Sequence, residues 1–189
     1  MSWFRTEADL VATVRELKET RQTVNCSVTG PRGFYKTLAL QTIYYHVKDK
    51  FSACMCYTLL DLPQEPVDVL LLDDFSSKFY KRRFGTVPNI EFMTALNEVR
   101  ELTAMIVTTC PDHGDLDLDM RGFFQDNSML FVGCFELDDS IYILSPAPIE
   151  FYESEKKREV EAKRRLWRER VERIKAVAVA KDRGFSERT

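Results

Sequence analysis

Two periods of hydrophobic residues alternate along the first 110 positions of the chain. In residues 7–20, Leu10, Val14 and Leu17 recur at helical spacing, whereas residues 24–29 form a short β-branched run that ends at a glycine. The same change of period predicts further helices at 37–47 and 89–102 and further strands at 53–60, 67–72 and 104–109. Strands that alternate with helices favour a mostly parallel sheet covered on both sides.

The pattern changes after residue 110. A short helix at 117–125 is predicted to precede strands at 129–137 and 141–144, which flank the turn-rich segment 138–140. Two strands around such a turn predict a hairpin. We therefore expect an α/β protein whose parallel sheet carries antiparallel C-terminal strands.

Residues 150–183 contain neither glycine nor proline and predict one long helix. A narrow apolar stripe runs along it, made of Val160, Trp167, Val171, Ile174 and Ala178. The stripe is too thin for a core face, so we expect the helix to dock on a neighbouring subunit or on DNA; the alternative is that it folds back on its own domain. The chain then divides into an N-terminal helix at 1–22, a core at 23–149 and a charged helix at 150–189.

Composition limits the class of protein. Apolar residues make up 44% of the 189 positions and charged residues 30%, which is typical of a globular chain and excludes disorder throughout. No apolar run approaches the length of a membrane span, and the five cysteines are odd in number. We expect a cytoplasmic protein in a reducing compartment, in the host cytoplasm if it is viral.

Basic charge is concentrated in the C-terminal segment. Residues 150–189 carry 13 basic and 9 acidic side chains, whereas residues 1–149 carry 14 basic and 21 acidic ones. This division favours an acidic partner, nucleic acid or a neighbouring subunit, although a solvated helix face gives the same pattern.

The segment at 30–37 reads GPRGFYKT and lies between a predicted strand and a predicted helix. This is the setting of a phosphate-binding loop, in which backbone N–H groups and the positive end of a helix hold phosphates. The pattern G-x-x-x-x-G-K-[ST] is met at Gly30, Lys36 and Thr37, but Tyr35 replaces the second glycine and crowds the approach to the phosphates. An ordinary glycine turn is the alternative. The predicted nucleotide-binding residues are Gly30, Pro31, Arg32, Gly33, Phe34, Tyr35, Lys36 and Thr37.

The apolar strand at 67–72 ends in two acidic residues, Asp73 and Asp74. This has the form of a Walker B element, in which a carboxylate at the end of a strand holds Mg²⁺ beside the phosphates. We predict that Thr37 and Asp73 hold the metal and that Asp74 polarises the attacking water. An Asp-Asp turn after a core strand is the alternative.

The strand at 104–109 ends in Thr108 and Thr109, and a segment that ends at Arg121 follows it. Together with the two motifs above, this order resembles the additional-strand (ASCE) class of P-loop ATPases. Within that class it resembles the FtsK/HerA group, which includes zonula occludens toxin-like and viral DNA-packaging ATPases. The resemblance covers about residues 24–150. It implies a P-loop NTPase three-layer sandwich, with the strand at 104–109 between the strands of the two motifs.

The resemblance also implies an activity: an ATP- and Mg²⁺-dependent ATPase, of viral or mobile-element origin, that moves or packages DNA. Such proteins are homo-oligomers, and a hexameric ring is one form. Thr108 or Thr109 would point at the γ-phosphate, and Thr109 joins Asp74 among the predicted catalytic residues. Arg121 would act on the nucleotide of a neighbouring subunit. The chain departs from the pattern at Tyr35, where glycine is expected, and at Asp74, where glutamate is.

A basic loop follows the second motif. Lys78, Lys81, Arg82 and Arg83 are interleaved with aromatic residues there. Cations neutralise phosphates and aromatic rings stack on bases, so these four residues are the predicted DNA contacts. A solvated loop is the alternative.

Two classes of function stay open. The first is a ring-forming ATPase that acts on DNA. The second is a nucleotide-dependent assembly protein that resembles helicase loaders and has weak or no hydrolysis; an inactive P-loop scaffold is a third case.

Overall fold

The computed structural model describes residues 3–31, 33, 35–74, 87–116, 118–131, 134–137 and 140–186. Within these residues the strands are β1 (Trp3–Arg5), β2 (Val24–Thr29), β3 (Ala53–Cys56), β4 (Val69–Leu72), β5 (Met105–Cys110), β6 (Gln125–Phe131), β7 (Cys134–Leu137) and β8 (Ser140–Ile143). The α-helices are α1 (Glu7–Thr20), α2 (Lys36–Val47), α3 (Val87–Val99), α4 (Leu118–Phe123) and α5 (Ile149–Ser186).

The strands form one sheet in the order β1-β8-β7-β6-β2-β5-β4-β3. In its parallel part, β2 pairs with β5 and β6, and β4 pairs with β3 and β5. Strand β7 pairs antiparallel with β6 and β8, and β1 pairs parallel with β8. The predicted α/β class, mostly parallel sheet and antiparallel C-terminal strands are therefore confirmed, and the layout is Rossmann-like.

The position of β5 determines which loops meet. This strand lies between β2 and β4, although it follows both in the chain. Neighbouring parallel strands end at the same edge of a sheet, so the segments that follow β2, β4 and β5 come together there. These segments begin at Gly30, Asp73 and Pro111.

Helices cover both faces of the sheet, which gives three layers. Strand β4 shows the pattern: Val69 and Leu71 belong to one hydrophobic cluster and Leu70 and Leu72 to the other, and all four are buried. Helices α1 and α2 cover the first face, and α3 and α4 cover the second. Their buried residues are Leu10, Val14, Leu40, Ile43 and Val47 on the first face and Phe92, Met93, Leu96 and Met120 on the second.

Three elements differ from the sequence-based prediction. No periodicity predicts β1, which is only three residues long. Strand β3 ends at Cys56 rather than at residue 60, because Thr58 caps a tight helical turn over Leu59–Asp61. The predicted helix at 117–125 ends at Phe123, since β6 begins at Gln125 and pairs with β2.

The long helix α5 folds back on its own domain over its first half. Its packed face carries Glu155, Glu159 and Ala162, all buried, at spacings of four and three residues. The face that the sequence analysis singled out is different and is exposed: Trp167 and Ile174 are each 66% accessible. The first half therefore takes the alternative arrangement, in which the helix folds back on its own domain, whereas docking of the exposed stripe on a partner stays a prediction.

Two sequence-based expectations concern the cysteines and the absence of a membrane span. All five cysteines are free; Cys26, Cys56, Cys110 and Cys134 are buried and Cys54 is half-buried. Burial raises the pKa of Cys26 to about 12, which is typical of an unreactive structural thiol. Within the described ranges, none of the helices combines the length and the apolar character that a membrane span needs.

Candidate functional site

The loop that follows β2 turns sharply into α2. Gly33 has a φ of 87° and Tyr35 a φ of 54°, both in the left-handed region that glycine adopts readily. Tyr35 is also the residue that precedes the first turn of α2, and its side chain is 65% exposed. The backbone thus takes a glycine-like conformation at the position where the motif expects glycine. Arg32 and Phe34 lie outside the described residues.

Lys36 reaches back over this loop. Its Nζ donates hydrogen bonds to the carbonyl oxygens of Gly30, at 2.7 Å, and Pro31, at 2.8 Å. These bonds hold the backbone of Gly30 and Pro31 against the ammonium group. The cation is consequently held at the amino end of α2, where the helix dipole also favours an anion.

Side chains from three elements converge beside the loop. Thr37 on α2 donates its hydroxyl to Asp73 Oδ1 at 2.9 Å, and Thr109 on β5 donates to the same oxygen at 3.1 Å. The backbone N–H of Asp74 donates to Thr109 Oγ1 at 2.8 Å. The strand order brings these residues together, because β5 pairs with β4 directly next to Asp73.

Asp73 is a buried carboxylate. Only 4% of it is accessible, and its backbone N–H donates to the carbonyl of Cys56 at 2.9 Å. Burial raises the pKa of Asp73, while the hydrogen bonds from Thr37 and Thr109 act in the opposite direction. The two hydroxyls stabilise a charge that the interior would otherwise disfavour.

The other predicted catalytic residues have different environments. Asp74 is exposed and has a φ of 51°, a conformation that aspartate tolerates better than most side chains. Thr108 is buried and donates to the carbonyl of Leu72 at 3.0 Å, so Thr109 is the threonine that faces the cluster. Arg121 donates to the carbonyls of Leu116, at 2.9 Å, and Gly114, at 2.8 Å, and does not line the cleft. The four predicted DNA contacts Lys78, Lys81, Arg82 and Arg83 lie outside the described residues.

A cleft of about 990 Å³ opens over the loop and the acidic pair. One wall carries Lys36, Thr37, Asp73, Asp74 and Thr109. This volume lies at the upper end of the range for small-molecule and cofactor sites. The other wall is α5, which contributes Ile149, Tyr152, Glu153, Lys156, Glu159 and Lys163.

The contribution of α5 was not predicted from the sequence. A chain of hydrogen bonds ties α5 to α2: Gln41 Nε2 donates to Tyr57 Oη at 3.0 Å, and Tyr57 Oη donates to Glu155 Oε2 at 2.8 Å. A second contact joins the hydroxyls of Thr42 and Tyr152 at 2.8 Å. Tyr152, Glu155 and Glu159 are spaced by three and four residues, as on one face of a helix. This spacing predicts a packed face only if acidic residues are counted among the buried ones.

The residues at the acidic pair suit a magnesium ion. Mg²⁺ prefers oxygen ligands and is usually bound through one or two carboxylates, waters and substrate phosphates. Thr37 and Asp73 already place a hydroxyl and a carboxylate oxygen next to each other, beside the cleft. Among the described residues there is no cluster of three or more His, Cys, Asp and Glu that could enclose a metal alone. Thr37 and Asp73 thus offer two of the oxygen ligands that Mg²⁺ prefers, and phosphate oxygens and waters would supply the others.

Neither a protein-family model nor a curated protein sequence matches this chain.

Proposed function

We propose that this protein binds ATP with Mg²⁺ in the cleft between α2 and α5 and hydrolyses it, as a P-loop ATPase of the additional-strand class. The observation that carries the proposal is the convergence of Thr37, Asp73 and Thr109 beside a lysine-containing loop at the start of a helix. Loop, carboxylate and hydroxyl come from three strand–loop connections at one sheet edge, which is where α/β sheets bind ligands.

The phosphates of ATP would lie along the start of α2. The first turn of any helix has backbone N–H groups that are not used within the helix, and its dipole favours anions. Lys36 adds a full positive charge at the same place. Mg²⁺, when bound through Thr37 and Asp73, would neutralise charge on the phosphates.

Asp74 and Thr109 supply the groups for attack by water. Asp74 is exposed to the cleft, so its carboxylate can accept a proton from a water molecule there. Thr109 donates to the carboxylate of Asp73 and accepts from the backbone N–H of Asp74, so it holds the proposed metal ligand next to the backbone from which Asp74 projects. The family pattern has glutamate at this position, and aspartate is one methylene shorter. The Asp74 carboxylate must therefore reach farther to the water, which favours slow turnover.

We propose that ATP hydrolysis drives the movement or packaging of DNA. The active form would be a homo-oligomer, for example a ring. The strand order, with β5 between β2 and β4, supports the additional-strand class, and the basic charge of segment 78–83 and of the C-terminal segment supports nucleic acid as the partner. A helicase-loader-like or assembly role is the second candidate. The observation that favours it is Tyr35, whose exposed ring lines the cleft at the position of the motif's glycine.

The test measures ATP binding by calorimetry and phosphate release with and without double-stranded DNA. We expect Lys36→Ala to abolish binding and Asp74→Asn to bind ATP without turnover. Lys50→Ala, an exposed lysine just beyond the other end of α2, is the matched control and should behave as wild type. Unchanged ATP affinity in Lys36→Ala would remove the P-loop interpretation. Binding without turnover in the wild type would favour the assembly role.

A further inference from the structure

Three charged residues of α5 form a compact group in the far wall of the cleft. Glu159 is only 7% accessible, and Lys156 Nζ donates to its Oε2 at 2.8 Å. Lys163 donates to the other carboxylate oxygen, Oε1. The two lysine side chains themselves are 67% and 57% accessible, so their stems lie in the cleft rather than in the core.

This group lies opposite the acidic pair of the P-loop wall. Burial is the main cause of the raised pKa of Asp73, but Glu159 raises it further and Lys163 lowers it. Both residues of α5 are therefore close enough to Asp73 to interact with it electrostatically. The described residues that line the cleft include three basic side chains, and all three are lysines: Lys36, Lys156 and Lys163.

The pairing of Glu159 with two lysines leaves one of them replaceable. Burial alone would raise the pKa of Glu159, but hydrogen bonds from Lys156 and Lys163 hold it below its ordinary value. A buried carboxylate that lost both partners would be strongly destabilised, whereas one that keeps a single lysine stays compensated. Lys163 lines the cleft and contacts only Oε1, whereas Lys156 contacts Oε2, so Lys163 can change partner while Glu159 stays paired.

We propose that Lys163 binds the terminal phosphate of the nucleotide, exchanging Glu159 for a phosphate oxygen while Lys156 keeps Glu159 paired. The inference rests on the proposed function and adds a residue to it: α5 would distinguish ATP from ADP within the same chain. Such a lysine is supplied in cis, in contrast to Arg121, whose guanidinium hydrogen-bonds two carbonyls away from the cleft.

The experiment compares the affinities of the full-length chain for ATP and ADP, each with Mg²⁺, by calorimetry. Charge-assisted hydrogen bonds predict that Lys163→Ala weakens ATP binding by about tenfold to a hundredfold and leaves ADP binding nearly unchanged. Glu159→Gln should act in the opposite direction, because Lys163 no longer has to leave a carboxylate, and should raise the preference for ATP. Lys163→Arg should recover much of the preference.

Lys157→Ala is the matched control, since Lys157 is exposed on the same helix and does not line the cleft. Circular dichroism melts show that each variant is folded. An unchanged ratio of ATP to ADP affinity in Lys163→Ala would overturn the inference, whether both affinities stay at the wild-type level or both fall equally. An equal fall indicates a purely structural role. In either case abolished binding in Lys36→Ala leaves the proposed function intact. If the wild type binds neither nucleotide, the proposed function and this inference both fail.

Discussion

Tyr35 has a backbone conformation that glycine adopts without steric cost. For an L-residue with a side chain, the left-handed region costs roughly 1–2 kcal/mol. The ring is 65% exposed, so little apolar burial offsets this strain. Strain of this kind is tolerated where a loop is held by other bonds, here those from Lys36 to Gly30 and Pro31.

The strain can be isolated by comparing two substitutions. Tyr35→Ala and Tyr35→Gly both remove the ring, but only glycine relieves the conformation. We expect Tyr35→Gly to be more stable than Tyr35→Ala by about 1 kcal/mol in urea unfolding, the reverse of the usual order for these residues. Tyr35→Gly also restores the motif and should bind ATP more tightly than wild type. Equal stability of the two variants would contradict a left-handed Tyr35.

The raised pKa of Asp73 predicts a conflict between stability and function. The pKa of Asp73 is higher in the folded chain than in the unfolded chain. The contribution of this group to stability is therefore fully present below the unfolded pKa, and it is lost as the pH rises through the folded pKa. Once it is ionised, the carboxylate therefore opposes folding. Its hydrogen bonds from Thr37 and Thr109 reach one oxygen, Oδ1, which an asparagine can also provide.

We expect Asp73→Asn to raise the unfolding temperature of the apo protein at pH 7, by about 2–4 °C for each kcal/mol gained, and to abolish Mg²⁺-dependent nucleotide binding. The stability gap should narrow as the pH falls, because wild-type Asp73 then becomes neutral too. Scanning calorimetry over a series of pH values from 7 downward measures this. Asp74→Asn removes an exposed carboxylate and serves as the control. A lower unfolding temperature for Asp73→Asn would show that the charge is needed for the fold.

At the scale of elements, the contact between α2 and α5 depends on polar side chains. Tyr57 is 3% accessible and links Gln41 to Glu155. Burial raises the pKa of its hydroxyl, so the group stays neutral and donates. Glu155 is itself held by Arg158, at 2.6 Å. The helix that begins at the lysine-containing loop, α2, is thus coupled to the opposite wall of the cleft.

Removal of one hydroxyl tests this coupling. Tyr57→Phe leaves Gln41 and Glu155 without a shared partner in the interior, so we expect a loss of about 1–3 kcal/mol in the free energy of unfolding. Tyr35→Phe removes an exposed hydroxyl and should change stability by no more than about 0.5 kcal/mol. Chemical denaturation of both variants gives the comparison. A neutral Tyr57→Phe would mean that this chain of hydrogen bonds does not help to hold α5 on the domain.

Most elements could be predicted because their signal is local. Apolar runs identified β4 and β5, and helical spacing identified α1, α2 and α3. Strand β1 was missed because its three residues are too few for any period, and the start of β6 because Gln125 and Asp126 are polar. The packed face of α5 was missed since its buried residues include Glu155 and Glu159, whose partners are visible only in the folded chain.

The residues of the candidate site also fall into two groups, those that local sequence motifs predict and those that they do not. Lys36, Thr37 and Asp73 follow from motifs, because loop, strand end and spacing are written in consecutive residues. Thr109 was predicted through the resemblance, and the sheet gives the physical reason why it and not Thr108 contacts Asp73: alternate side chains of a strand face opposite sides. Lys163 and Glu159 lie more than 80 residues beyond Asp73 in the sequence, and no motif connects them.

At the scale of the whole molecule, the second half of α5 is separate from the domain. The described side chains at 172–177 are exposed, and Ile174 and Val177 are 66% and 57% accessible. A chain that ends after Val171 should therefore melt within about 1 °C of the full-length protein. Removal of residues 149–189 instead exposes the surface of the domain that α5 covers and should destabilise the domain strongly.

Light scattering on the shorter truncation measures the mass of the oligomer at the same time. A fall in mass with unchanged melting would support docking of the stripe on a second copy. A large fall in the melting temperature would show that the second half of α5 does pack on the domain.

Strand β1 determines when the sheet can be completed during synthesis. It pairs with β8 in the register Trp3 with Ser140, and Arg5 Nε donates to Ser140 Oγ at 3.2 Å. A contact that closes a loop of this length is slow to form and cannot form before residue 140 has left the ribosome. Strands β2 to β5 can pair earlier, because they need nothing beyond residue 110. The parallel part of the sheet is thus expected to form first, and the first strand of the chain is among the last to be incorporated.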